Sequence, residues 1–127
     1  MKFEMTEHGF ETETEFGTLM ISSNDEKGFR PYQLMVSSIA ACTGGVMRKI
    51  LEKKRMPAES LTIEVKEVIR SNDDASRLEK IHYHITVRAE GLTEEKLPKI
   101  MELTDKNCSM YQSVANCIDV RKTVEIL

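Results

Sequence analysis

The sequence predicts a single α+β domain over residues 1–127, and three observations carry that prediction. Pro31 opens a long helical segment that Pro57 closes. Two stretches, 61–70 and 78–89, alternate apolar and polar side chains with period two. A second helical pattern and a short closing strand follow them. A chain of 127 residues, 40% hydrophobic and 31% charged, can build one domain around one core.

Residues 2–7 and 10–15 read as short strands with His8-Gly9 as the turn between them. Glu11-Thr12-Glu13-Thr14-Glu15 alternates charged and β-branched side chains, as an exposed strand does. Thr18 to Ser22 reads as a third strand, and Asn24-Asp25-Glu26-Lys27-Gly28 as a loop. The helix from Pro31 is expected to reach about Arg55. From Leu34 to Cys42 it is apolar or small on nearly all sides, the pattern of a buried helix. From Val46 it is amphipathic, with Val46, Met47, Ile50 and Leu51 opposite Arg48, Lys49, Glu52, Lys53 and Lys54. Gly44-Gly45 inside a helix costs about 1 kcal/mol per glycine against alanine, which close approach of another helix would justify.

Leu61, Ile63 and Val65 mark the inner face of the next strand. After a polar loop, Ser71 to Arg77, comes the strand with Ile81, Tyr83, Ile85 and Val87 on one face and His82, His84, Thr86 and Arg88 on the other. A helix is expected from Thr93, with Leu97, Ile100, Met101 and Leu103 inward, then a short helix from Ser109 to Ala115. Asp119 to Leu127 closes the fold, with Val120, Val124 and Ile126 inward. A helix apolar on every side needs more cover than one modest sheet supplies, and a dimer in which two such helices meet at Gly44-Gly45 would provide it.

The net charge of −3 does not favour non-specific nucleic-acid binding. Met1 to Glu7 is acidic and lacks the apolar core of a signal peptide. The apolar run from Leu34 to Cys42 is interrupted by two serines and reads as too short to span a bilayer. A cytoplasmic protein with no nucleic-acid or membrane partner is expected. In that setting three cysteines are free or redox-active rather than a static framework. No CxxC spacing or His/Cys cluster supports zinc, and no metal site is expected. His82 and His84 could approach a metal together but lack an evident third ligand, so a solvated or cross-strand face is the simpler reading. Cys117 reads as a plain core or surface thiol.

Cys42 lies in Ser37-Ser38-Ile39-Ala40-Ala41-Cys42-Thr43-Gly44-Gly45, a thiol among residues too small to crowd it. Cys108 follows in Lys106-Asn107-Cys108-Ser109-Met110-Tyr111-Gln112. A substrate oxygen could reach such a thiol. A small buried hydrophobe is the alternative reading of Cys42.

Pro31-Tyr32-Gln33-Leu34 leading to Ala40-Ala41-Cys42 on one helix, with Asn107-Cys108-Ser109-Met110-Tyr111 late in the chain, resembles the OsmC/Ohr family of osmotically induced and organic hydroperoxide resistance proteins. The resemblance covers nearly the whole chain and lies toward the OsmC-like branch. It implies an antiparallel sheet wrapped around a long buried central helix in an intertwined homodimer. It also implies a two-cysteine peroxidase with Cys42 as peroxidatic thiol and Cys108 as resolving thiol, acting on organic hydroperoxides or H2O2. No cofactor is expected beyond an external thiol or dithiol reductant, of the lipoyl type in some relatives.

Three departures from the family pattern stand out. The position ten residues before the peroxidatic cysteine, a glutamate in characterised peroxidases, is Tyr32, followed by Gln33. The N-terminal arginine is missing, since residues 1–29 contain none. Ser109 stands where proline usually follows the resolving cysteine. Arg30 is the substitute expected for the missing arginine, with Tyr32 or Gln33 orienting guanidinium or peroxide. Without a nearby cation a buried thiol drifts toward its neutral form. A redox sensor without efficient catalysis, or an apolar-ligand binder, therefore remains as an alternative to the peroxidase.

Overall fold

A computed structural model describes residues 1–127 as two compact units, Met1–Ser37 and Ser38–Leu127. In the first unit β1 (Glu4–Met5), β2 (Phe10–Glu13) and β3 (Thr18–Ile21) form an antiparallel sheet in that order. The strands are shorter than the alternation suggested, because tight turns consume their ends. Thr6 N donates to Gly9 O at 2.8 Å and Gly9 N donates back to Thr6 Oγ1 at 3.0 Å. A side chain at Gly9 would put its Cβ 2.0 Å from Ile21 O, so only glycine fits that turn. Phe3, Met5, Phe10, Phe16, Met20 and Phe29 of this unit are all exposed.

Helix α1 runs from Pro31 to Lys53. It stops before Pro57 for a local reason. Arg55 takes a left-handed conformation (φ 60). Its N–H donates to Glu52 O at 3.0 Å and the Met56 N–H donates to Leu51 O at 2.8 Å. This is the Schellman termination, with arginine where glycine is usual. The helix is long and apolar enough to cross a membrane by length and composition, with mean hydropathy 1.3 over its best window. In the second unit, however, Met47 and Leu51 pack fully buried against Ile85, Val87, Leu97 and Ile100, as in a core helix. Burial is one-sided in the single chain: Ile39, Thr43, Met47 and Leu51 are buried, while Ser38, Ala41 and Gly45 are exposed.

The second sheet is built on β4 (Ala58–Arg70) and β5 (Leu78–Ala89), an antiparallel hairpin in which Leu61 faces Val87 and Ile63 faces Ile85. Ile81, Tyr83, Ile85 and Val87 are all buried, as their alternation predicts. Val65 is not inward but 41% exposed, and the register of β4 shifts between Val65 and Glu67. A bulge there breaks the strict alternation. Gly44 lies against this hairpin: a Cβ would lie 3.1 Å from Ile63 Cδ1 and 3.7 Å from Leu61 Cδ2.

Helix α2 (Leu97–Asn107) starts later than Thr93, because a turn closed by Lys96 N to Thr93 O at 3.0 Å comes first. Pro98 then sits in its first turn. Helix α3 (Ser109–Val114) follows at once, and β6 (Asp119–Ile126) returns beside β5. That pairing is parallel, with Ile81 beside Val120, Tyr83 beside Lys122 and Ile85 beside Val124. The expectation of a wholly antiparallel sheet is corrected on this point. Two helices separate β5 from β6, and a crossover of that length brings the chain back in the same direction.

Candidate functional site

Within the second unit, α1 and the α2–α3 junction bring Cys42 and Cys108 together. Cys108 caps both helices in an extended conformation (φ −86, ψ 102), so the chain turns on this residue. It is fully buried, Cys42 is half-buried, and both are free thiols. Ser109 Oγ lies 3.8 Å from Cys42 Sγ, and Thr43 Oγ1 lies 3.6 Å from Cys108 Sγ.

The two thiols are pushed in opposite directions. The Met110 backbone N–H, the Cys108 thiol, and the Ser109 hydroxyl and N–H all point donors at Cys42 and hold it below the usual thiol range, against the opposing effect of burial. Burial first, then the neighbouring Cys42, pushes Cys108 up, against hydrogen bonds from the Tyr111 amide and Thr43. Within this unit the groups that lower Cys42 are neutral dipoles. Ser109 contributes two of them, and a proline there would supply neither.

The floor beneath Cys108 is polar as well as apolar. Tyr83, buried on β5, has its phenol pushed upward by burial and by the nearby Cys108. Lys122 stands next to it on β6. Its Nζ lies 3.5 Å from the centroid of the Tyr111 ring and donates to Asp105 Oδ1 at 2.5 Å.

Arg30, Tyr32 and Gln33 belong to the first unit. The Arg30 guanidinium lies 4.9 Å over the Tyr32 ring, so these two are brought together. Gln33 is exposed and lines a surface recess with Thr18, Met20 and Phe29. Cys117 is exposed. His82 and His84 share a partner on the outward face of the second sheet, at 3.0 and 2.8 Å from Thr123 Oγ1, with His84 Nε2 3.3 Å from Glu125 Oε2. That is the cross-strand polar face, and no cluster of three or more His, Cys, Asp or Glu side chains suited to a metal ion occurs.

The sequence matches the family described as OsmC-like protein over residues 24–122. The chain belongs to the OsmC-like family. No curated protein matches it. Among solved structures, this OsmC-like protein resembles a hypothetical protein from Aquifex aeolicus VF5 with TM-score 0.85 at 23% identity, over 99% of this chain and 93% of that one. An OsmC-like protein from Mycoplasma pneumoniae gives TM-score 0.86 at 16% identity, over 99% and 94%. The organic hydroperoxide resistance protein OhrB of Bacillus subtilis gives 0.68 at 18%, over 98% and 95%. At these identities the likeness establishes a shared OsmC/Ohr fold.

Sequence reasoning missed Thr43, Lys122 and the value of Ser109 in this OsmC-like site. Lys122 left a trace: it is the one charged residue in the inward row Val120, Lys122, Val124, Ile126.

Proposed function

We propose that this OsmC-like protein is a thiol peroxidase that reduces organic hydroperoxides or H2O2 with Cys42 and Cys108. The observation that carries the reading is the contact between a half-buried thiol held toward its thiolate and a fully buried thiol held toward its neutral form. The attack on peroxide needs a thiolate, which the lowered thiol supplies, and the second thiol lies close enough to meet the oxidised sulfur.

In the first step the Cys42 thiolate attacks the terminal peroxide oxygen. The O–O bond breaks, Cys42 becomes a sulfenic acid, and the leaving alkoxide takes a proton to give the alcohol. Cys108 then condenses with the sulfenic acid, forming the disulfide and releasing water. An external dithiol reduces that disulfide and is itself oxidised. Arg30, stacked on Tyr32, is proposed to supply the cation the family places near the thiolate, from its own chain or a partner, with Gln33 or Tyr32 orienting it. The exposed Phe3, Met5, Phe10, Phe16 and Met20 support a homodimer that covers them. Free thiols suit a cytoplasmic setting.

Stopped-flow oxidation of reduced protein by cumene hydroperoxide and H2O2 tests the reading. Fast thiol loss that Cys42→Ser abolishes, with a Cys42–Cys108 disulfide as end state in the parent, is expected. Loss no faster than that of a free thiol would sink it. A single slow oxidation without turnover would favour the redox sensor.

A further inference from the structure

Lys122 occupies an inward position of β6 between Val120 and Val124, beside Tyr83, and its side chain is only 5% exposed. An ammonium in such a place is costly unless it is paired. It is met twice. Nζ donates to Asp105 Oδ1 at 2.5 Å and faces the Tyr111 ring at 3.5 Å. Asp105 lies in the last turn of α2, and Tyr111 lies in α3. One amine therefore holds both arms of the corner whose apex is Cys108. Gln112 Nε2 ties the same arms again, donating to Asp105 O at 2.8 Å.

That corner delivers the Cys108 thiol and the Ser109 and Met110 amides to Cys42. We propose that Lys122 is the positioning residue of the thiol site: by clamping Asp105 to Tyr111 it fixes the α2–α3 corner, and with it Cys108 and the two amides, against Cys42. Lys122 itself touches no reacting atom. The inference rests on the reading of Cys42 and Cys108 as the working pair, and its test uses no peroxide.

The test is the pH dependence of Cys42 alkylation by iodoacetamide, with thermal melting alongside, in a Cys117→Ser background that removes the exposed third thiol. Lys122→Met keeps the aliphatic stem and loses the ammonium. Its alkylation profile is expected to move to higher pH, with the rate at neutral pH falling about tenfold. Lys122→Arg keeps a cation for both partners and is expected to restore most of that rate. A folded Lys122→Met protein whose melting temperature falls while its alkylation profile superposes on the parent would make Lys122 merely structural and overturn the proposal. Should Lys122→Met not fold, Tyr111→Leu, which leaves the ion pair, is expected to show the same shift, and an unshifted profile there overturns it equally. A parent that reduces no peroxide but shows the Lys122-dependent alkylation shift would refute the peroxidase reading and leave this one standing.

Discussion

Ser109 stands 3.8 Å from Cys42 through its hydroxyl, and its backbone N–H is aimed at the same sulfur. It is the first residue of α3, preceded by an extended Cys108. A proline is compatible with both conditions, since it suits a first helical position and requires an extended residue before it. Ser109→Pro is therefore expected to fold while deleting both donors. Cys42 alkylation at neutral pH should slow by about tenfold, against about threefold for Ser109→Ala, which loses the hydroxyl alone. Equal rates in the two variants would show that the amide contributes nothing.

The opposed thiols predict opposed pH dependences of stability. Cys42 is lowered in the folded state, so its contribution appears as pH rises through its folded value toward the ordinary 9.0, and is lost on acidification. Cys108 is raised, so its contribution is present below 9.0 and disappears as pH climbs above that value. Reduced parent and Cys108→Ala proteins, melted across the alkaline range, are expected to converge in stability above pH 9.0, at up to about 1.4 kcal/mol per pH unit. A difference that stays constant or widens there would contradict the raised Cys108.

Gly44 and Gly45 are adjacent in sequence yet differ in surroundings. A methyl at Gly44 meets Ile63 at 3.1 Å, whereas a methyl at Gly45 meets nothing within 4 Å in the chain. For the isolated chain Gly45→Ala would add about 1 kcal/mol of helix stability. In the proposed homodimer, with central helices meeting at this level, the same methyl intrudes on the partner. Weaker self-association in sedimentation, despite an intact fold, is the expected result. Unchanged association with higher melting temperature would place the interface elsewhere.

Arg55 ends α1 at φ 60, a conformation that costs a non-glycine residue about 1 kcal/mol. Arg55→Gly is expected to raise stability by about 0.5–1 kcal/mol in urea unfolding. A loss would mean that the exposed guanidinium contributes more than the backbone strain removes.

Most of the fold was legible because its strongest signals are local. The alternation in β5 gave that strand its full extent, Leu78–Ala89, and Pro31 marked the first residue of α1. What escaped depends on distant partners. The bulge at Val65 and the parallel return of β6 arise from pairing between segments, and no local pattern encodes them. The thiol pair was legible through residue type and family pattern. The dipoles around it were not, because the Met110 and Ser109 amides act through backbone direction rather than side-chain identity. Serine at 109 read as a departure, yet its hydroxyl lies 3.8 Å from the Cys42 sulfur.

The groups that activate Cys42 come from a corner held by the last strand, and both arrive long after α1 in the chain. On the proposed role of Lys122, a nascent polypeptide that has made α1 but not yet docked β6 is expected to carry an ordinary thiol at Cys42. The onset of fast Cys42 alkylation during refolding is then expected to coincide with the completion of the native topology.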